Sequence, residues 1–429
     1  MRRDDIRYRT YVQILEQELV PAMGCTEPIA LAYCAAEARA LLGCLPEAVI
    51  VEASGNIIKN VKSVVVPNTG GRKGIEAAAA AGIVAGDPAR ELEVIAAVTE
   101  EQKKALGSFL ERTPVDVVPL YSDHILDMQV TVRGGGREAK VRIAGEHTNI
   151  VYEERDGKVI LDRMGHEPKA AGGAAGEPDR SLMNVQDIYE FAQTVDIEDI
   201  REVLSRQICY NLAIAKEGLS GDWGAHIGST LLKSQGSDVR TKARAWAAAG
   251  SDARMNGCEM PVVINSGSGN QGITASIPVL MYAGELEAGE DRTYRALALS
   301  NLITLHLKSG IGRLSAYCGA VSAGVGSGAG IAWLKGGDLA AVSHTIVNAL
   351  AIASGIVCDG AKSSCAAKIA VAVEAGILGY EMYENGQQFY DGEGLVSKGV
   401  ENTIRNIGIL GREGMKGTDK TIIEIMTGC

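Results

Sequence analysis

From residue 185 to residue 426 the chain is written mostly in Ala, Gly, Ser and Leu with few β-branched alternations, which commits this stretch to closely packed helices. Fifty-two glycines stand against three Phe and three Trp in the whole chain. Ala, Val, Ile and Leu must therefore fill the core, and many backbone segments must approach one another closely. The pattern changes upstream, where residues 49–51, 63–66, 115–118 and 128–132 read as strands, interrupted by helices over 73–85 and 99–110. Before these, residues 4–42 carry apolar positions at helical spacing, broken at Pro21 and restarted at Thr26-Glu27-Pro28, where proline suits a first helical turn. The expected fold class is α+β: a large helical bundle domain with an inserted smaller α/β sheet domain. The expected divisions are residues 1–45, N-terminal helices packing on the bundle; 46–165, the insert; 166–184, a linker rich in Gly, Ala and Pro; and 185–429, the bundle.

Charge and cysteine usage narrow the function. The net charge of −11 and the lack of a basic stripe interleaved with aromatics argue against nucleic acid as a partner. Residues 315–334 are uncharged but crowded with Gly and Ser, so they read as a buried helix pair and not as a membrane span. No apolar run follows Met1 to Arg9 of the kind a secretion signal needs, and a cytoplasmic location is expected. Nine cysteines in a large chain of that kind point to thiol chemistry or metal binding rather than a disulfide framework.

Three cysteines stand out because small residues surround them: Cys318 in Leu314-Ser315-Ala316-Tyr317-Cys318-Gly319-Ala320, and Cys358 and Cys365 in Cys358-Asp359-Gly360-Ala361-Lys362-Ser363-Ser364-Cys365. Such flanks let backbone N–H groups approach the sulfurs of an iron–sulfur cluster. On spacing alone, buried structural thiols are the plainer alternative.

Several segments carry a resemblance: Gly24-Cys25-Thr26-Glu27-Pro28, Gly145-Glu146-His147-Thr148-Asn149-Ile150, Leu219 to Gly228, Ser251-Asp252-Ala253-Arg254-Met255, Asn265 to Gly272, and Ile356-Val357-Cys358-Asp359-Gly360. Together and in this order they resemble the L-cysteine desulfidase family, which is related to the alpha chain of iron–sulfur L-serine dehydratases. The resemblance implies a [4Fe–4S] cluster used as a Lewis acid, with Cys318, Cys358 and Cys365 as ligands and one iron left for the substrate thiolate. It implies β-elimination of L-cysteine to pyruvate, ammonia and hydrogen sulfide. Cys25 is the family's other functional cysteine, either the base that takes the Cα proton or an exchangeable fourth ligand. Its place just before a helix start is expected to lower its pKa.

The loop from Asn265 to Gly272 alternates glycine with Ser266, Ser268, Asn270 and Gln271, a pattern that suits a small anion such as the substrate carboxylate, or equally a helix-capping turn. His147 and His226 read as satisfied structural groups or as a proton donor. By resemblance Lys59, Asn60 and Thr69 contribute substrate contacts, although Val61 and Asn68 stand where relatives carry glycine; taken alone, Lys59 is a solvated strand-end lysine. The terminal Cys429 could reach the open iron, against the plainer reading of a loose chain end. Competing functions are an iron–sulfur L-serine dehydratase, a pyridoxal phosphate lyase that lacks a lysine in the usual context, and a non-catalytic iron–sulfur sensor. A homodimer is a candidate assembly.

Overall fold

The computed structural model describes residues 1–122, 124–164, 178–312 and 314–427. Among the described residues, sixteen α-helices and eight strands form an α+β fold. The N-terminal part holds α1 (Ile6–Glu18), β1 (Pro21–Met23), α2 (Thr26–Leu42), β2 (Ala48–Ala53), α3 (Gly55–Val61), α4 (Gly74–Ala85) and α5 (Glu100–Arg112). Strands β3 (Val115–Pro119), β4 (Asp127–Gly134), β5 (Arg137–Ala144), β6 (Ile150–Arg155) and β7 (Lys158–Asp162) follow. Helices α6 (Val185–Thr194), α7 (Arg201–Ser220), α8 (Ile227–Gln235) and α9 (Val239–Met255) lead to β8 (Pro261–Val263). The chain then continues through α10 (Gly269–Glu285), α11 (Glu290–Ile311), α12 (Gly319–Leu334), α13 (Leu339–Ala353), α14 (Cys365–Glu384), α15 (Val400–Ile409) and α16 (Met415–Thr427).

The larger sheet runs β3-β2-β4-β5-β6-β7, with β2 and β3 parallel and every other pair antiparallel. Val49, Val51 and Ala53 alternate inward along β2, as a strand with one buried face requires. Helix α2 covers β4 and β5 and packs on α4, while α1 leans on α6 and α11. The apolar run 63–66 is not a strand. Val65 makes only an isolated bridge to Lys73, and Val64 is buried with Cys25 and Met255. A short apolar run signals burial, and here burial is achieved by a loop.

In the bundle, α12 is surrounded by α10, α11, α13 and α14. Residues 315–334 thus supply one central helix, not a helix pair, and no helix among the described residues is long and apolar enough to cross a membrane. Its glycines set the geometry. A Cβ on Gly376 of α14 would lie 2.2 Å from the Gly324 carbonyl oxygen, and one on Gly328 would lie 2.7 Å from the Gly376 Cα. The two backbones touch, which holds Cys318 and Cys365 at neighbouring ends of α12 and α14. Most of the expected linker falls on residues 165–177, and Cys429 follows residue 427; both lie outside the described residues.

Because backbone cannot step aside, Gly376→Ala should cost about 1–3 kcal/mol and lower the thermal unfolding midpoint by several degrees. Gly284→Ala, with nothing within 4 Å of the added carbon, should leave the midpoint unchanged or raise it. Equal midpoints for the two variants would show that α12 and α14 are not in backbone contact.

Candidate active site

Two short pairings assemble the site. Strand β1 runs antiparallel to β8, with Pro21 opposite Val263 and Met23 opposite Pro261, so Cys25 emerges beside the loop that follows β8. The Thr26 hydroxyl then donates to the Gly267 carbonyl at 2.7 Å. Gly24, at φ +58°, has no room for a side chain: a Cβ there would lie 2.3 Å from Pro67 Cγ. The loop itself closes tightly, with Asn265 and Ser268 exchanging backbone hydrogen bonds of 3.1 and 3.0 Å around Ser266 and Gly267, both at positive φ. Buried amides support it, since Asn211 bonds both backbone groups of Val263 and Asn301 links Asn265 to Gln207.

The second pairing joins the other cysteines. The Cys318 N–H donates to the Ile356 carbonyl at 3.1 Å and the Cys358 N–H to the Ala316 carbonyl at 2.6 Å. Lys362 and Lys368 then fold the 358–365 loop by donating to the carbonyls of Asp359 and Val357, both at 2.9 Å. Burial works against the Asp359 carboxylate, yet these two ammonium groups hold its pKa below the usual range.

Both pairings open on one cavity of about 100 Å³. Cys25, Cys318, Cys358 and Cys365 line it together with Ser268, Asn270, Gln271, Lys59 and Asn60. Four helices begin at its wall. Cys25, Ser268 and Cys318 are the N-caps of α2, α10 and α12, and Cys365 is the first residue of α14 after its N-cap Ser364. At α2, α10 and α14 no cap side chain bonds the N–H groups of its own helix. Four positive helix ends thus face a confined space that favours negative charge.

Burial disfavours the thiolate form of three of these cysteines. Burial pushes Cys25 up to about 12, a rise that nearby Arg254 only partly offsets, so the lowering expected from the helix start is overturned by desolvation. Burial also pushes Cys318 up to about 12, with the Cys358 thiol adding to it, and raises Cys365. A cation is what would make these sulfurs thiolates. Among the described residues no three His, Cys, Asp or Glu side chains converge on a single metal ion. Three thiolates on separate corners of a cluster need no such convergence, so the donor set fits an iron–sulfur cluster better than a lone ion. Further unpaired polar atoms line the same wall: Arg254 Nε, Asn270 Oδ1 and Gln271 Oε1.

Other residues singled out in the sequence lie elsewhere. Ser266 sits at the turn apex and does not line the cavity, the Thr69 hydroxyl is engaged by the Val66 carbonyl and the Arg72 N–H, and His147 is buried in the turn between β5 and β6. His226 caps α8 in a left-handed conformation, with Nε2 2.8 Å from exposed Asp222. Lys59 is not a solvated strand-end residue: it lies on α3, buried, with its ammonium paired to Asp419 of α16. Asn60 donates to Glu27 at 3.0 Å. Sequence reasoning did not assign Glu27, Arg254, Met255 or Lys308 to the wall. Arg254 left one readable signal, a lone basic residue in an otherwise buried, Ala-rich end of α9.

The family model for the serine dehydratase alpha chain matches residues 89–424, and the chain belongs to that family. It is 58% identical to a UPF0597 protein of Desulfitobacterium hafniense (strain Y51), covering 99% of this chain and 98% of the relative. It is 48% identical to a UPF0597 protein of Lachnoclostridium phytofermentans, over 98% and 99% of the two chains, and 43% identical to one of Treponema denticola, over 99% of each.

The Lys59 and Asp419 pair ties α16 to the cavity wall, and Lys62 adds a bond to the Met426 carbonyl at 2.6 Å. Asp419→Ala strands a buried ammonium, a loss of about 3–5 kcal/mol for a pair of this kind. Hydrogen exchange over residues 415–427 should accelerate strongly in that variant. Unchanged protection there would mean that the pair does not hold the helix.

Proposed function

We propose that this chain is a [4Fe–4S]-dependent L-cysteine desulfidase. The observation that supports this best is the gathering of four cysteines, Cys25 from near the N-terminus and Cys318, Cys358 and Cys365 from the second half of the chain, at one cavity faced by four positive helix ends. Cys318, Cys358 and Cys365 would hold the cluster, and their small neighbours leave it room. When bound, the cluster supplies a Lewis-acidic iron for the substrate sulfur. The helix N-termini lower the cost of the thiolate charges.

Cys25 faces the same space with its sulfur 3.7 Å from Met255 Sδ. In one role it takes the Cα proton as sulfide leaves Cβ, and in the other it caps the metal until substrate arrives; both need the thiolate, which Arg254 favours. The elimination converts L-cysteine to hydrogen sulfide and aminoacrylate, which adds water to give pyruvate and ammonia. An L-serine dehydratase by the same chemistry is the second reading, and the family name favours it. Against it, the wall that Cys25 and Met255 form is sulfur-rich and buried, which solvates a thiol at less cost than a hydroxyl.

Anaerobically purified protein should contain iron and acid-labile sulfide and release sulfide and pyruvate in equal amounts from L-cysteine, with a higher kcat/KM than for L-serine. Alanine at Cys318, Cys358 or Cys365 should remove the iron. Cys25→Ala should keep most of it while turnover falls roughly 100-fold or more, and Ser at Cys34, Cys44 or Cys209 should change neither. Full iron in all three ligand variants would end the assignment, and a preference for serine would turn it to the dehydratase.

A further inference from the structure

Among the described residues Arg254 has no hydrogen-bond or ion-pair partner to explain its burial. It is 3% exposed, its Nε meets no acceptor, and no carboxylate among the described residues pairs with it. A guanidinium carries its charge at any ordinary pH, so a buried one without a counter-ion is costly. It also lies where a second positive field acts. A Cβ on Gly269, the first residue of α10, would sit 2.3 Å from Arg254 Nε and 2.7 Å from Cζ, so the guanidinium rests directly against the start of that helix. The Ser268 side chain does not cap α10. A planar cation and an open helix N-terminus, side by side on the cavity wall, are together a receptor for a small planar anion.

Two further groups on the same turn have the opposite need. Asn270 donates to Met255 Sδ at 3.5 Å and leaves its Oδ1 without a donor, and Gln271 Oε1, whose amide lies against Gly319, is likewise unmet. Buried acceptors without donors call for a ligand that brings N–H groups. We infer that Arg254 and the α10 N-terminus bind the carboxylate of an α-amino acid while Asn270 and Gln271 accept from its ammonium, so that this corner reads the zwitterion. This deepens the proposed lyase function and rests on it only for the identity of the side chain to be eliminated. It gives Gly269 a role as well, because any side chain there would displace the guanidinium.

The test is binding, not turnover. L-Alanine has no leaving group on Cβ and stays intact, so anaerobically purified, iron-loaded protein is titrated calorimetrically with L-alanine, L-alaninamide, which lacks the carboxylate, and L-lactate, which lacks the ammonium. In the wild type both analogues should bind at least roughly tenfold more weakly than L-alanine. Arg254→Gln should weaken L-alanine on the order of 30-fold and abolish its advantage over L-alaninamide, with iron content unchanged, and Gly269→Ala should do the same. Wild-type protein that fails to bind L-alanine, or binds L-alaninamide as tightly, overturns the inference, as does an Arg254→Gln variant with full affinity for L-alanine. Should that variant not fold or not hold iron, the L-alanine to L-alaninamide ratio in Gly269→Ala decides: a collapsed ratio supports the receptor and a preserved one removes it. If sulfide release fails while the ratio behaves as described, the lyase reading falls and the amino-acid receptor stands.

Discussion

The structure depends on four helix N-termini meeting at one cavity. Each brings a positive partial charge, and at α2, α10 and α14 no cap side chain bonds the helix N–H groups. Such an arrangement is unfavourable unless the cavity holds negative charge, and the residues around it supply the means: cysteines able to become thiolates, and a buried arginine that requires an anion. The small-residue composition of the bundle serves the same end. Only helices as close as α12 and α14, in contact through Gly324, Gly328 and Gly376, could place Cys318 and Cys365 at adjacent ends.

The cavity draws on segments far apart in the chain. β1 and α2 deliver Cys25, α3 delivers Lys59 and Asn60, and the C-terminal α16 is fastened to α3 through Asp419. The thiols are linked to this charge balance: without a cation, burial keeps Cys25 and Cys318 protonated, with values near 12. Loading a metal there must expel protons, and the helix ends together with Arg254 compensate the thiolates that result.

Much of this could be read in the sequence, for identifiable reasons. The helical run from residue 185, the Pro28 start of α2 and the Thr99 start of α5 were legible because caps and periodicity are local signals. The small neighbours of Cys318, Cys358 and Cys365 singled out three residues that the structure brings to one cavity wall. What stayed hidden depends on tertiary context. Residues 63–66 look like a strand because apolar runs report burial and not conformation; Lys59 looked solvated because its partner is 360 residues away. The pKa of Cys25 went the other way because a helix end raises acidity only where desolvation does not outweigh it. Arg254 was visible as a residue, but its lack of a partner is a fact of packing.

The central claim is that these thiolates leave one metal position open to substrate. Mössbauer spectroscopy of anaerobic, 57Fe-loaded protein with and without L-cysteine tests it most directly. One iron site of a four-iron cluster should shift on adding L-cysteine while the other three stay unchanged. Four irons that respond alike or not at all, or iron that is not in a cubane, would contradict the account.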